Sequence, residues 1–162
     1  MKTRLILVLI FSFFVFNLDA QTKIKKRDIN RINDQAEEAF YNEDYRKALS
    51  LYQQLFQMNP EGSDYYNYQI ALCYLYSNID NEKAMTYIDM AKESMAETPV
   101  TDFYYYNLGK SYHLNNKYED AINSYQQALD IGVEDDELKK EIEMQIRICR
   151  NAIEITKKPL EV

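Results

Sequence analysis

The sequence predicts an all-α fold in which three helical hairpins stack side by side and a final helix covers the last of them. Two observations favour helix over sheet. The chain of 162 residues contains only three glycines and three prolines, too few for the tight turns of a β-rich fold. Small residues also recur at a regular spacing along the chain, which indicates an internal helical repeat.

Pairs of small residues define this repeat. In each of three segments an alanine or glycine lies 12 or 13 residues before a second alanine. The pairs are Ala36 and Ala48, Ala71 and Ala84, and Gly109 and Ala121. A large residue follows four positions later, as Tyr52, Ile88 or Tyr125, and in the third segment Ala128 follows that. Small residues let two helices cross closely, so we predict antiparallel helix pairs that stack and share a core.

The three units resemble tetratricopeptide repeats. The third is the most similar, in Tyr105–Tyr112 and Tyr118–Leu129, and the first ends with Met58-Asn59-Pro60, the proline stop usual in that family. The first small residues lie 35 and 38 residues apart, compared with about 34 in a strict array, and longer linkers contain the excess. The resemblance implies a right-handed solenoid of three helical hairpins with a C-terminal capping helix.

The repeat pattern divides the chain into a series of segments. They are a signal peptide (1–20), a linker (21–28), repeats at 29–62, 64–98 and 102–133, a capping helix (134–158) and a tail (159–162). In the capping segment an apolar stripe is expected to cover the third hairpin: Leu138, Ile142, Met144, Ile146, Cys149, Ala152 and Ile153. The acidic residues 134–137 are interpreted as a helix start rather than a cation site.

Residues 1–20 have the order of a secretory signal peptide. A basic start is followed by an apolar stretch of twelve residues (5–16) and a polar end at Ala20. A membrane-spanning helix needs about 20 apolar residues, so we predict cleavage after Ala20 and no stable membrane anchor afterwards. An uncleaved anchor is the alternative.

The C-terminal ending carries a second resemblance. The stretch Ile146–Ile153, followed by Lys157-Lys158-Pro159, is similar to the end of the exported tetratricopeptide module in envelope proteins of Gram-negative bacteria. Those proteins continue into a β-propeller and an OmpA-like domain, and some belong to gliding and type IX secretion machinery. The resemblance implies a scaffold or adaptor in the periplasm or on the periplasmic side of the outer membrane. A structural module engaged through its capping helix is the alternative.

Charge and composition argue against several function classes. Loss of Lys2, Arg4 and Asp19 with the signal changes the net charge from −7 to −8, so nucleic acid is not an expected partner. His113 is the single histidine, and no nucleophile, phosphate-loop or metal-ligand motif accompanies it. We therefore predict no enzymatic activity, no metal and no cofactor.

The two cysteines, Cys73 and Cys149, fall in apolar helical patterns of different segments. We interpret them as buried free thiols that act as small hydrophobic residues. A disulfide is the alternative for an exported chain.

Tyrosine is the unusual feature of the composition, with 15 tyrosines and no tryptophan. Many lie on the first helices of the hairpins, which line the concave wall of tetratricopeptide arrays. By spacing we assign a partner-binding groove to Phe40, Tyr41, Tyr65, Tyr68, Leu72, Tyr76, Phe103, Tyr106, Lys110 and His113, with Glu37, Leu75 and Leu114 beside them. The expected partner is a protein or peptide segment of an envelope component. Packing between helices is the interpretation for Tyr66, Tyr74, Tyr105 and Tyr112.

Overall fold

The computed structural model describes residues 25–91 and 101–157, and almost all of these residues are helical. The helices are α1 (25–41), α2 (Tyr45–Met58), α3 (Ser63–Ser77), α4 (Asn81–Met90), α5 (Thr101–Leu114), α6 (Tyr118–Ile131) and α7 (Asp136–Lys157), with a short 3₁₀ helix at Pro60–Gly62. Neither of the two described stretches contains a strand. The all-α prediction is confirmed. The predicted signal peptide and tail lie outside the described residues.

Consecutive helices pack against each other and form three hairpins, α1–α2, α3–α4 and α5–α6. The helix α2 packs on α3, α4 on α5, and α7 on α6. The first hairpin closes because Ala36 of α1 lies in one apolar cluster with Ala48 and Tyr52 of α2. The last cluster joins α6 to α7 through residues such as Tyr125 and Ile142. The predicted solenoid of three hairpins and a capping helix is therefore confirmed.

Each hairpin turns through one residue in the left-handed backbone region. These residues are Glu43 (φ 61°), Asn78 (φ 52°) and Asn116 (φ 57°). Asparagine tolerates this region better than most residues, because its short polar side chain can bond locally. The first and third turns fall at the Asn-Glu-Asp and Asn-Asn-Lys sequences between the predicted helices, and the second falls at Asn-Ile-Asp.

Aspartates begin three of the helices. Asp44 and Asp80 each accept a hydrogen bond from the backbone N–H three residues later, at 3.2 and 3.0 Å. At the start of α7, Asp135 accepts hydrogen bonds from the backbone N–H groups two and three residues later, at 2.8 and 3.2 Å. The acidic stretch before α7 is thus a helix start, as predicted.

The small residues that define the repeat are all buried: Ala36, Ala48, Ala71, Ala84, Gly109, Ala121 and Ala128. The closest approach is at Gly109, where an added Cβ would lie 2.6 Å from Cδ1 of Tyr125. The Tyr125 ring lies directly against the α5 backbone, and only glycine leaves room for it.

Two further predictions concern the cysteines and the linker before the first repeat. Cys73 and Cys149 are buried free thiols, and burial raises the pKa of the Cys73 thiol to about 12. Residues 25–28, at the end of the predicted linker 21–28, belong to α1. No glycine or proline interrupts the chain there, which allows the helix to begin before the predicted first repeat.

Candidate functional site

A cavity of about 430 Å³ lies where the first helices of the three hairpins meet. We call it the front groove. Its lining consists of Glu37, Phe40 and Tyr41 from α1, Tyr52 from α2, Tyr65, Tyr68, Gln69 and Leu72 from α3, and Phe103 from α5. Six of the ten residues assigned to a groove by spacing are therefore brought together in one place.

The front groove has a buried floor and exposed walls. Tyr52, Tyr68 and Leu72 form the floor and are at most 7% exposed. Tyr65 and Phe103 are each 39% exposed and form the walls, with Tyr41 projecting furthest into solvent. Tyr68 and Leu72, which spacing assigned to the groove, line this cavity and also belong to the second core cluster.

One carboxylate lies in this aromatic surface. Oε1 of Glu37 accepts hydrogen bonds from the Tyr65 hydroxyl at 3.2 Å and from Nδ2 of Asn33 at 2.6 Å. Burial, and then the negative charge of Glu37, raises the pKa of Tyr65 to about 12. Tyr52 lies beneath them, and burial raises its pKa further above the usual tyrosine range. Of the described residues that line the front groove, Glu37 is the only charged one.

The remaining predicted residues do not line this cavity, and we call the four of them the rear segment: Tyr76, Tyr106, Lys110 and His113. The Lys110 ammonium lies 4.6 Å from the centre of the Tyr76 ring. The Tyr76 hydroxyl donates to Oδ1 of Asn107 at 3.0 Å. Tyr76 and Lys110 therefore lie outside the front groove lining and contact each other, while Tyr76 also bonds to Asn107.

Tyr106 and His113 also lie outside the lining of this cavity. The Tyr106 hydroxyl donates to Glu141 of the capping helix at 2.6 Å, and its ring lies against Tyr125. His113 is half-buried, with its ring edge-on to Tyr118. Among the flanking residues, Leu75 is buried in the first core cluster and Leu114 is exposed outside the cavity.

The spacing argument missed Asn107, which is fully buried. Its Nδ2 donates to the Tyr68 hydroxyl at 3.1 Å and to the Phe103 carbonyl at 2.9 Å, while its Oδ1 accepts from Tyr76. This amide joins the floor of the front groove to the rear segment. The available signal was an asparagine on the apolar face of a helix, where a polar side chain requires partners.

The tyrosines interpreted as packing residues lie between helices. Tyr66 and Tyr74 are buried, and Tyr105 and Tyr112 are half-buried against the second and third core clusters. This part of the tyrosine prediction is confirmed.

In the described ranges, no group of histidine, cysteine or acidic side chains is arranged to hold a metal ion. No helix in the same ranges has the length and apolar composition needed to cross a membrane.

Comparison with known proteins identifies the repeat. Two family models described as tetratricopeptide repeat match residues 33–94 and 103–131. The chain is built of tetratricopeptide repeats. No curated protein matches the sequence significantly. Tetratricopeptide repeats form scaffolds for protein–protein interaction and are generally non-catalytic, so a protein or peptide partner is expected.

Solved tetratricopeptide domains share this fold. The Sgt2 TPR domain from Aspergillus fumigatus is 20% identical with a TM-score of 0.63, covering 83% of this chain and 87% of that one. The P58(IPK) TPR domain is 17% identical with a TM-score of 0.69, covering 83% of this chain and 36% of that one. The Arabidopsis OM64 TPR domain is 15% identical with a TM-score of 0.62, and the match covers 78% of this chain and 98% of that one. At these identities the likeness shows the fold alone.

Proposed function

We propose that the protein is a non-catalytic scaffold or adaptor of the cell envelope, which binds an extended segment of a partner protein in its front groove. The observation that carries the proposal is the aromatic cavity of about 430 Å³ between the first helices. Aromatic rings bury a large area at little cost in side-chain entropy, and tyrosine adds a polar group that fixes orientation. Tyr65 and Phe103 are partly exposed there and available to a ligand.

A photo-crosslinking experiment tests this groove. A photoreactive phenylalanine is placed at Phe103 in one variant and at Phe56 in another, because the two side chains are similarly exposed at 39% and 37%. Phe56 lies on α2, outside the groove lining. We expect an adduct with one envelope protein from position 103 only, and its loss when Tyr65→Ala is added. The same adduct from both positions would contradict the groove as the binding site.

The proposed location rests on the signal-like residues 1–20 and on the resemblance to envelope proteins of Gram-negative bacteria. That resemblance favours gliding, type IX secretion or OmpA-like assemblies as the setting. Cell fractionation with intact-mass measurement tests it, and we expect a periplasmic protein that begins at Gln21. Full-length protein in the membrane fraction would support the uncleaved anchor instead. Full-length protein in the cytoplasm would refute export.

A structural module engaged through α7 is the second candidate, and an exposed apolar stripe favours it. Met144, Ile148 and Ile155 are 43%, 42% and 69% exposed. Their spacings of four and seven residues place them on one helix face, opposite the buried Ile142 and Ile146.

Point substitution separates the two candidates better than removal of α7, because Ile142 and Cys149 of this helix belong to the third core cluster. If α7 is the docking surface, Ile148→Asp should abolish co-purification with envelope partners while Phe103→Ala has no effect. If the front groove binds the partner, Phe103→Ala should abolish co-purification with envelope partners while Ile148→Asp has no effect. In both cases an unchanged circular dichroism spectrum is the control for folding.

A further inference from the structure

We propose that the front groove selects a lysine or arginine side chain of the partner segment, with Glu37 as the counter-ion. This inference rests on the proposed function, because it assigns the chemistry of the occupant of the same groove. It commits to an extended peptide with one basic residue between apolar residues.

The first argument is the arrangement of the Glu37 carboxylate. The Tyr65 hydroxyl and the Asn33 amide both donate to Oε1, which fixes the carboxylate. Among the described residues none donates to Oε2, and no lysine or arginine forms a salt bridge with Glu37. A carboxylate accepts several hydrogen bonds, and the strongest come from charged donors. An incoming ammonium or guanidinium group would provide one.

The second argument is the aromatic surface around this carboxylate. Tyr41, Tyr65 and Phe103 line the same cavity, and their rings are partly exposed. A cation is attracted to the face of an aromatic ring, while the aliphatic part of a lysine or arginine packs against apolar surface. The rear segment already contains this pairing, with Lys110 lying 4.6 Å from the centre of the Tyr76 ring. In the front groove the acidic and aromatic groups are present, and none of the described lining residues is a lysine.

The third argument is the sign of the charge. Among the described residues of the lining Glu37 is the only charged one, and it gives this surface a negative charge. An acidic side chain or a C-terminal carboxylate would meet a like charge in a site partly removed from water. A basic residue is the charged group that the lining favours.

Selection from a random peptide library displayed on phage tests the inference with the mature chain. We expect the selected peptides to share one lysine or arginine flanked by apolar residues. A synthetic peptide from the selection should bind Glu37→Gln about tenfold more weakly than wild type, because glutamine keeps the shape and removes the charge. The matched control is Glu38→Gln, which removes one charge from the same helix outside the lining and should bind as wild type does.

A second substitution makes the result specific. Replacing the basic residue of the peptide by methionine should weaken binding to wild type, with little further loss in Glu37→Gln. Selected peptides without a basic residue that require Phe103 would overturn the inference and leave the proposed function standing. Equal affinity for wild type and Glu37→Gln would also overturn it. If no peptide is enriched, or if binding survives Phe103→Ala, the proposed groove function fails as well.

Discussion

The front groove and the rear segment share helices α3 and α5 and are both rich in tyrosine, yet their aromatic side chains are engaged differently. In the rear segment Lys110 lies over Tyr76, and Asn107 accepts the Tyr76 hydroxyl bond. In the front groove Tyr65 and Phe103 keep 39% of their surface exposed. The difference shows that tyrosine content does not locate a binding surface. A polar partner does not separate the two regions either, because Tyr65 and Tyr68 of the front groove are hydrogen-bonded to Glu37 and Asn107.

The largest expected difference in stability is between variants of Tyr106 and Phe103, which lie three residues apart on α5. Tyr106 is 6% exposed, packs on Tyr125 and donates to Glu141. We expect Tyr106→Ala to lower the free energy of unfolding by about 3–5 kcal/mol, as for other buried aromatic residues. Phe103→Ala should cost less than about 1 kcal/mol. Urea denaturation followed by circular dichroism measures both, and equal losses would contradict the distinction between front and rear.

The next largest effect on stability is expected at Gly109, where the Tyr125 ring packs against the α5 backbone. In Gly109→Ala the new methyl group would lie 2.6 Å from the Tyr125 ring, so the ring must move. We expect a loss of about 1–3 kcal/mol in the free energy of unfolding, although alanine is the better helix former. The same substitution in a Tyr125→Leu background is the control and should cost less. A stabilising effect in the wild-type background would show that the ring moves at no cost.

Loss of the hydrogen bond between Tyr76 and Asn107 should have a smaller effect on stability. Tyr76→Phe leaves the fully buried Asn107 carbonyl oxygen without the hydroxyl that donates to it at 3.0 Å. We expect a loss of about 1–2 kcal/mol in thermal or urea unfolding. Tyr41→Phe is the matched control, because Tyr41 is 88% exposed and its hydroxyl faces solvent. A loss of similar size at Tyr41 would contradict this explanation.

Alkaline pH tests the same hydroxyl in its ionised form. Burial, and then the nearby Tyr45 and Glu141, raises the pKa of Tyr76 from 10.0 to about 12. The folded chain therefore keeps this proton when the unfolded chain has lost it. The contribution of Tyr76 to the free energy of unfolding is complete below about pH 10 and is lost as the pH rises through about 12. Stability measured against pH should fall by about 1 kcal/mol more in wild type than in Tyr76→Phe at about pH 11. If stability falls with pH equally in wild type and Tyr76→Phe, the raised pKa of Tyr76 is refuted.

The fold was predictable because it depends on local periodicity. The spacing from Ala36 to Ala48 and from Gly109 to Ala121 reflects close helix crossings, and each of these residues is buried. The boundaries were less predictable. Helix α1 begins at residue 25, before the predicted first repeat, in a stretch that no glycine or proline interrupts.

The site was only partly predictable, since spacing gives the face of a helix but not what covers that face. Phe103 and Tyr106 were both assigned to the groove. Contacts with Tyr125 and Glu141, more than 15 residues further along the chain, decide that Tyr106 is structural. Such long-range partners depend on how the hairpins stack, which the pattern within a single helix does not contain.

The smallest expected effect concerns Lys110, which sequence spacing assigned to the groove and the structure places over the Tyr76 ring. Lys110→Met keeps the length and apolar body of the side chain and removes its charge. We expect a loss of about 0.5–1 kcal/mol in the free energy of unfolding, the usual size of a partly exposed cation–π contact. In a Tyr76→Leu background the same substitution should cost nothing, because the ring is absent. Peptide binding to the front groove should be unchanged in Lys110→Met, since Lys110 does not line that cavity. A clear loss of peptide binding without a loss of stability would show instead that the rear segment is part of the binding surface, and the distinction between front and rear would then be wrong at this residue.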